Sequence, residues 1–316
     1  MNTKKLIKII RIPNLLIIVF TMIVIRYGVV YAFVKYNGFE LQLSILQFLL
    51  LILSTVLIAA GGYVVNAYQD RKIDKENHPE YFTEEDENCC SKMLNLYNYL
   101  TVFGVVLGAV LSYSVGQFMF TGIFLLVAGL LWFYSTTYKF MPFVGNVIVA
   151  FLTGLVPLML VIFEIPLLTA KYHDFLVKHN VDFMPLFYFV GTFSVFAFLT
   201  NLMREIVKDL EDFTGDAVYK KNTIPVYFGE FAGKIAAFLI GAGTVFLLML
   251  IQFKYQLGNT SFWYLLLAVS LPLGVVSVKL FFDNKPEQYH VSSLILKFIM
   301  LSGILYSVVF YFNLQN

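Results

Sequence analysis

The chain has 316 residues, of which 59% are hydrophobic and only 13% are charged. Soluble domains carry about a quarter charged residues, so this composition excludes a soluble globular protein. The high apolar content also excludes a disordered, collagen-like or coiled-coil chain. The formal net charge of +2 is too small to indicate binding to nucleic acid. The composition therefore favours a membrane protein.

Nine stretches of the chain are long and apolar enough to cross a membrane, since a spanning helix needs about 20 mostly apolar residues. In chain order they are residues 15–34, 46–65, 96–115, 118–134, 144–163, 184–203, 235–253, 262–282 and 291–312. Each is a continuous apolar run, unlike the alternating segments of about 10 residues that are typical of membrane β-barrels. The first run is of spanning length, so we expect a spanning helix there and not a cleaved signal peptide. The sequence predicts an all-α, polytopic membrane protein of about nine helices, with residues 1–316 forming one domain.

The distribution of basic residues predicts the orientation of these spans, because cytoplasmic loops carry an excess of lysine and arginine. Of the 22 lysine and arginine residues, 16 fall on the side that carries the N-terminus, four fall on the other side, and two lie inside spans. We therefore expect the N-terminus and the loops after spans 2, 4, 6 and 8 to be cytoplasmic, and the C-terminus to be outside.

The loop after span 2 contains the run N-A-Y-Q-D-R-K-I-D at residues 66–74. The apolar span before it ends without a helix breaker, so we expect the helix to continue beyond the hydrocarbon. Asn66, Asp70 and Asp74 are spaced four apart and would then stack on one face of that helix.

The loop after span 6 contains a second acidic run, D-L-E-D-F-T-G-D, at residues 209–216. Span 6 also ends without a helix breaker, so a continuing helix is expected here as well. Asp209, Asp212 and Asp216 lie at i, i+3 and i+7, which predicts that they share one helix face.

Both acidic runs are predicted to lie on the same side of the membrane, and facing carboxylates would repel one another and raise their own pKa values. Mg²⁺ would hold them together, since it prefers oxygen ligands and is usually bound by one or two carboxylates plus substrate phosphates. The pattern therefore predicts a magnesium and diphosphate site. Basic neighbours that could complete an anion site are Arg11, Arg71, Lys72, Lys139 and Lys208.

Span 2 carries a run of small residues, A-A-G-G at positions 59–62, one turn before the first acidic run. Small residues let helix backbones approach closely inside a membrane. We expect this run to bring span 2 against a neighbouring helix and to aim Asn66 inward.

At these residues the chain resembles the UbiA superfamily of intramembrane prenyltransferases, which has an N-x-x-x-D-x-x-x-D motif after its second helix and a second Asp-rich motif after its sixth. The resemblance covers the whole chain. The stretches K-N-T-I-P at 221–225, R-I-P-N at 11–14 and Y-S-T-T-Y-K at 134–139 also fit the family. Within the family, the run R-E-I-V-K-D-L-E-D-F-T-G-D is most similar to the geranylgeranylglyceryl-phosphate geranylgeranyltransferase group.

The resemblance implies a bundle around a central cavity that is capped by the two Asp-rich cytoplasmic loops. The donor would be a polyprenyl diphosphate, with Mg²⁺ as cofactor and a lipid or aromatic acceptor in the membrane. The residues that it implies as metal ligands are Asp70, Asp74, Asp209, Asp212 and Asp216, with Asp70, Asp74, Asp212 and Asp216 as the catalytic set. The residues that we expect at the diphosphate are Asn66, Arg11, Arg71, Lys139, Lys208 and Tyr138.

Two features depart from the family's pattern. Many members have an aspartate directly after the motif asparagine, where this chain has Ala67. Many also have a basic, proline-rich tract after the first motif, where this chain has an acidic stretch that begins at His78. These departures leave the number of metals and the acceptor open.

Other classes of membrane protein fit the sequence less well. A transporter should place ionisable groups or broken helices near the middle of the membrane, whereas these acidic groups lie at the cytoplasmic ends of spans. A CDP-alcohol phosphotransferase needs D-G-x-x-A-R, which does not occur, and a scaffold has no need for two acidic triplets. Geranylgeranylglyceryl phosphate, an aromatic quinone precursor and another lipid alcohol all remain open as acceptors.

Overall fold

The computed structural model describes residues 6–7, 9–77, 87–218, 222–255 and 258–315, with side chains for all of these except 71–77, 87–90 and 315. The described residues form helices and no strand. Nine of these helices are long and apolar enough to cross a membrane, which confirms the predicted fold class.

The nine helices are labelled α1 to α9 in chain order. Their bounds are Ile12–Tyr36 (α1), Ile45–Asn77 (α2), Glu87–Ser114 (α3), Thr121–Thr136 (α4), Val144–Lys171 (α5), Met184–Glu211 (α6), Glu230–Tyr255 (α7), Asn259–Lys279 (α8) and Pro286–Gln315 (α9). Each coincides with one predicted span. Short helices at His173–His179, Phe213–Val218 and Ile224–Phe228 lie in the connections.

The chain divides into two compact units, and each is described by itself. Unit 1 comprises residues 1–20 and 42–139, and unit 2 comprises residues 21–41 and 140–316. Unit 1 contains α2, α3 and α4, while unit 2 contains α5 to α9.

In unit 1, the small residues of α2 allow it to pack closely against both of its neighbours. A Cβ added at Gly61 would collide with the Thr101 hydroxyl of α3, and one added at Gly62 would lie 2.8 Å from the Leu131 side chain of α4. The predicted close packing of span 2 is therefore confirmed, and its small residues are the reason that α2 can contact two helices at once.

In unit 2, α6 is the central helix and packs against α5, α7 and α9. The seam with α5 is especially close, since a Cβ added at Gly154 would lie 2.8 Å from the Ser194 carbonyl oxygen. Along the same seam the Asn201 amide donates a hydrogen bond to the Thr153 hydroxyl at 3.0 Å. The buried Asn201 side chain thereby has a hydrogen-bond partner, where an unpaired amide would be costly.

The two acidic runs differ in backbone conformation. The first lies entirely on α2, which continues to Asn77, as predicted. The second does not share one face of a single helix: α6 ends at Glu211, Asp212 follows with φ −89° and ψ 5°, and Asp216 lies in the short helix Phe213–Val218. The break is consistent with the low helix propensity of the Asp, Thr and Gly residues in D-F-T-G.

Candidate active site

The first acidic cluster is built in unit 1 from α2 and the turn that follows α4. The Asp70 carboxylate forms an ion pair with the Lys139 ammonium group and accepts a hydrogen bond from the Asn66 amide at 2.8 Å. The Lys139 side chain is only 4% exposed, whereas that of Asp70 is 26% exposed. Because a buried ammonium group needs a compensating charge, this pair fixes the geometry of the cluster.

Asn66 has a second polar atom that the cluster leaves available. Its amide oxygen is buried and has no hydrogen-bond partner among the described residues. A buried acceptor without a donor is unfavourable unless something else satisfies it. An amide oxygen beside a carboxylate is a donor set that suits Mg²⁺, so the residues present fit the predicted metal.

Three residues of the first run are described only in their backbone. Asp74, Arg71 and Lys72 lie on α2, within one turn of Asp70, but their side chains are outside the described residues, as is the whole of His78. The roles predicted for these residues therefore stay predictions. The i, i+4 spacing on a continuous helix is the part of the first motif that the fold does confirm.

Two other predicted residues lie near this end of unit 1. The Arg11 guanidinium lies 5.3 Å from the ring centroid of Tyr63, one turn before Asn66 on α2, and Arg11 has a positive φ of 51°. Tyr138 is half-buried, and its ring lies 6.1 Å from that of Phe133. A non-glycine residue with positive φ is uncommon and marks a backbone that its surroundings hold in place.

The second acidic cluster is built in unit 2 where α6 ends and α5 begins. The Asn146 amide donates a hydrogen bond to the Asp209 carboxylate at 2.7 Å. Asn146 lies in the first turn of α5 and Asp209 in the last turn of α6. Both side chains are half-buried, while Asp212 is exposed.

Ionic contacts surround this second cluster. The Glu205 carboxylate receives the Lys208 ammonium group at 2.9 Å and the Arg204 guanidinium at 3.1 Å. Glu211, directly before Asp212, lies 2.8 Å from His290 Nδ1. Lys208, which the sequence predicts at the diphosphate, is therefore held by Glu205 on its own helix, and α9 contacts the end of α6 through His290.

The predicted residues thus fall into two groups, with Asn66, Asp70 and Lys139 together in unit 1 and the Asp209 region in unit 2. Among the described side chains, no group of three or more histidine, cysteine or acidic residues could hold a metal by itself. A role for Asn146 was not predicted from the sequence, because the predicted site consists mainly of charged residues and Asn146 lies outside both acidic runs. The signal that could have found it is a lone amide in the first turn of span 5, on the predicted cytoplasmic side.

The sequence is similar to known proteins over most of its length. The sequence pattern of the UbiA prenyltransferase family matches residues 18–301. A digeranylgeranylglyceryl phosphate synthase of Thermococcus gammatolerans is 31% identical over 259 residues, which are 82% of each chain.

Two solved structures share the fold. One, from work on digeranylgeranylglyceryl phosphate synthase in membranes, has a TM-score of 0.66 at 21% identity and covers 97% of this chain and 98% of that chain. The other, a UbiA homolog from Archaeoglobus fulgidus bound to DMAPP and Mg²⁺, has a TM-score of 0.50 at 14% identity and covers 96% and 99%. At these identities the likeness shows the fold alone. Because the family pattern spans most of the sequence, the chain belongs to the UbiA prenyltransferase family and is a membrane-embedded prenyl-transferring enzyme.

Proposed function

We propose that this enzyme transfers a geranylgeranyl group from its diphosphate to geranylgeranylglyceryl phosphate, with Mg²⁺ as cofactor. The observation that carries the proposal is the 31% identity to a digeranylgeranylglyceryl phosphate synthase over 82% of both chains. The arrangement of Asn66, Asp70 and Lys139 supports it, because it combines oxygen ligands for a cation with a buried ammonium group for an anion.

Both units are proposed to form one catalytic domain, since the family pattern at residues 18–301 runs through both. The N-terminus and both acidic clusters are placed on the cytoplasmic side, in agreement with the excess of basic residues there. Mg²⁺ would find ligands in each unit: Asp70 and Asp74 in unit 1, with Asn66 in support, and Asp209, Asp212 and Asp216 in unit 2. Its contribution when bound is to neutralise the diphosphate as negative charge develops on it.

The side chains of the enzyme itself bind and orient the donor. Lys139, Arg11, Arg71, Lys208 and Tyr138 are proposed to bind the diphosphate oxygens. The bond between C1 of the prenyl chain and the diphosphate oxygen breaks, and the diphosphate leaves with the electron pair. A hydroxyl of the acceptor forms the new C1–O bond and loses its proton. The apolar spans exclude water, which would otherwise capture the allylic cation.

Magnesium dependence is supported by a relative's chemistry as well as by the donor set. The UbiA homolog from Archaeoglobus fulgidus is bound to DMAPP and Mg²⁺. A prenyl diphosphate and a divalent cation thus occur together in a protein of this fold. The described oxygen donors of Asn66 and Asp70 are of the type that Mg²⁺ takes.

The test is a transfer assay with the purified protein in liposomes. Labelled geranylgeranyl diphosphate is supplied with Mg²⁺ and, in parallel, with geranylgeranylglyceryl phosphate or 4-hydroxybenzoate. We expect product with the glyceryl phosphate alone, and its loss when EDTA removes the metal. Product with only the aromatic acceptor would overturn the proposed acceptor and leave the mechanism standing. When Asp70 or Asp212 is replaced by asparagine in this assay, Asp174→Asn is the matched control. Asp174 is fully exposed beside His173 in the short helix His173–His179.

A further inference from the structure

We infer that Asn146 is a positioning residue for the cation site, acting through Asp209. The inference rests on the proposed function and deepens it. The cation is the Mg²⁺ that the aspartates and the donor diphosphate are proposed to bind. Asn146 carries no charge and belongs to none of the acidic runs. Its placement is visible only once α5 and α6 are packed together.

The geometry is that of an oriented carboxylate. Asn146 Nδ2 donates to Asp209 Oδ2 at 2.7 Å, at the short end of the usual range for such a hydrogen bond. Each partner is half-buried and lies in a terminal turn of a long helix. An amide N–H that donates to one oxygen of a carboxylate restricts its rotation, as the partners of metal ligands commonly do.

The two helices that carry this bond are packed closely together. Farther along the seam the Asn201 amide bonds to Thr153 at 3.0 Å, and Gly154 allows α5 to approach the Ser194 carbonyl closely. The chain also enters α5 through Phe143, which has a positive φ of 69°. Such a conformation is unfavourable for an aromatic residue and persists only where the surroundings enforce it. The start of α5 is therefore set by the fold, and with it the position of the Asn146 amide.

The same device occurs in the other unit. Asn66 Nδ2 donates to Asp70 at 2.8 Å, as Asn146 Nδ2 does to Asp209. An amide restrains an aspartate without adding positive charge, although Asp70 also contacts the Lys139 ammonium group. The parallel indicates that Asn146 does for the second acidic cluster what the motif asparagine does for the first.

The experiment measures binding separately from transfer. Purified wild-type protein and the Asn146→Ala variant are titrated with Mn²⁺, in place of Mg²⁺, in the presence of geranylgeranyl thiodiphosphate, and free Mn²⁺ is followed by electron paramagnetic resonance. Loss of a residue that orients a metal ligand costs about 10-fold to 100-fold in metal affinity, so we expect the half-saturating Mn²⁺ concentration to rise about 10-fold. The transfer rate at saturating Mg²⁺ should fall much less than the Mn²⁺ affinity does, since the ligands themselves remain.

Two controls separate this role from a structural one. Asn37→Ala removes an exposed amide of the same unit, which donates to the Phe33 carbonyl, and should leave Mn²⁺ affinity unchanged. In an Asp209→Asn background, Asn146→Ala should have no further effect on Mn²⁺ affinity, because coupled residues are not additive. Asn146→Ser serves in the same comparison if the alanine variant does not fold.

The outcomes are distinct. Wild-type Mn²⁺ affinity in Asn146→Ala, or an undiminished effect of that change in the Asp209→Asn background, would overturn the inference even if transfer is confirmed. A wild-type protein that binds Mn²⁺ with the thiodiphosphate but transfers to no acceptor would overturn the proposed function and leave the role of Asn146 supported by the binding data. A wild-type protein that binds no Mn²⁺ would overturn both.

Discussion

The two acidic clusters differ in the groups that contact their aspartates. In unit 1, Asp70 is paired with a buried lysine from the turn after α4. In unit 2, Asp209 is bonded to the neutral amide of Asn146, and the nearby cations Arg204 and Lys208 contact Glu205. The contacts described for Asp70 are thus an ion pair and a hydrogen bond from Asn66, whereas the one described for Asp209 is a hydrogen bond from a neutral amide.

The two clusters should therefore respond differently to substitution of their aspartates. Breaking a buried ion pair leaves an uncompensated charge and destabilises the fold, whereas neutralising an exposed carboxylate at a helix end does not. Substitution of the aspartate in the first cluster should therefore lower both the transfer rate and the free energy of unfolding. Substitution of Asp212 in the second should lower the transfer rate alone.

The largest effects are expected from the aspartates themselves. Asp70→Asn and Asp212→Asn should each lower the transfer rate by about 100-fold or more, since each removes charge stabilisation of the leaving diphosphate. Asp70→Asn should also lower the free energy of unfolding by about 2 kcal/mol, less than for a fully buried pair because Asp70 is partly exposed. Asp212→Asn should change it by less than about 0.5 kcal/mol. Transfer assays and thermal unfolding of the two variants would contradict the comparison if both lost equal stability.

The two lysines should differ next. Lys139→Met removes a buried cation that contacts Asp70, and we expect a loss of about 100-fold in transfer rate. Lys208→Met should cost about 10-fold or less, because its side chain is 29% exposed and bound to Glu205. Steady-state rates at saturating Mg²⁺ measure both variants side by side. Equal losses would show that burial of the cation does not matter.

Close packing of α2 should have a smaller effect. Gly62→Leu would crowd the Leu131 side chain of α4, at a cost of about 1–3 kcal/mol in stability from overpacking. Because Asn66 lies one turn away, we expect transfer to fall about 10-fold through misplacement of the cluster. Gly129→Leu is the matched control, since a Cβ there meets nothing within 4 Å. A fully active Gly62→Leu enzyme would refute this link.

The smallest effect is expected at the contact between α9 and the second cluster. His290 is 59% exposed and lies 2.8 Å from Glu211. An exposed pair of this kind contributes about 0.2–1 kcal/mol, so His290→Ala should reduce transfer by less than about 3-fold. A much larger loss, measured in the same assay at constant pH, would assign His290 a direct role in the reaction.

The spans and the first acidic motif could be predicted because hydropathy and helix periodicity are local properties of the sequence. The end of α6 at Glu211 could not, because helix propensity around Asp212 does not by itself tell a break from a continuation. The partner of Asp70 was also hidden: Lys139 was predicted to bind an anion, and its ion pair depends on packing across 69 residues of chain. The role of Asn146 could not be predicted for the same reason, since its contact with Asp209 exists only where α5 packs against α6.

The central proposal is that aspartates of each cluster bind the donor diphosphate through Mg²⁺. Calorimetric titration of geranylgeranyl thiodiphosphate into the purified protein tests it most directly, with Mg²⁺ or EDTA, for the wild type and for Asp70→Asn and Asp212→Asn. We predict binding by the wild type with Mg²⁺, its loss with EDTA, and a decrease of about 10-fold or more in affinity for each variant. Binding that is unchanged by EDTA, or by either substitution, would contradict the account.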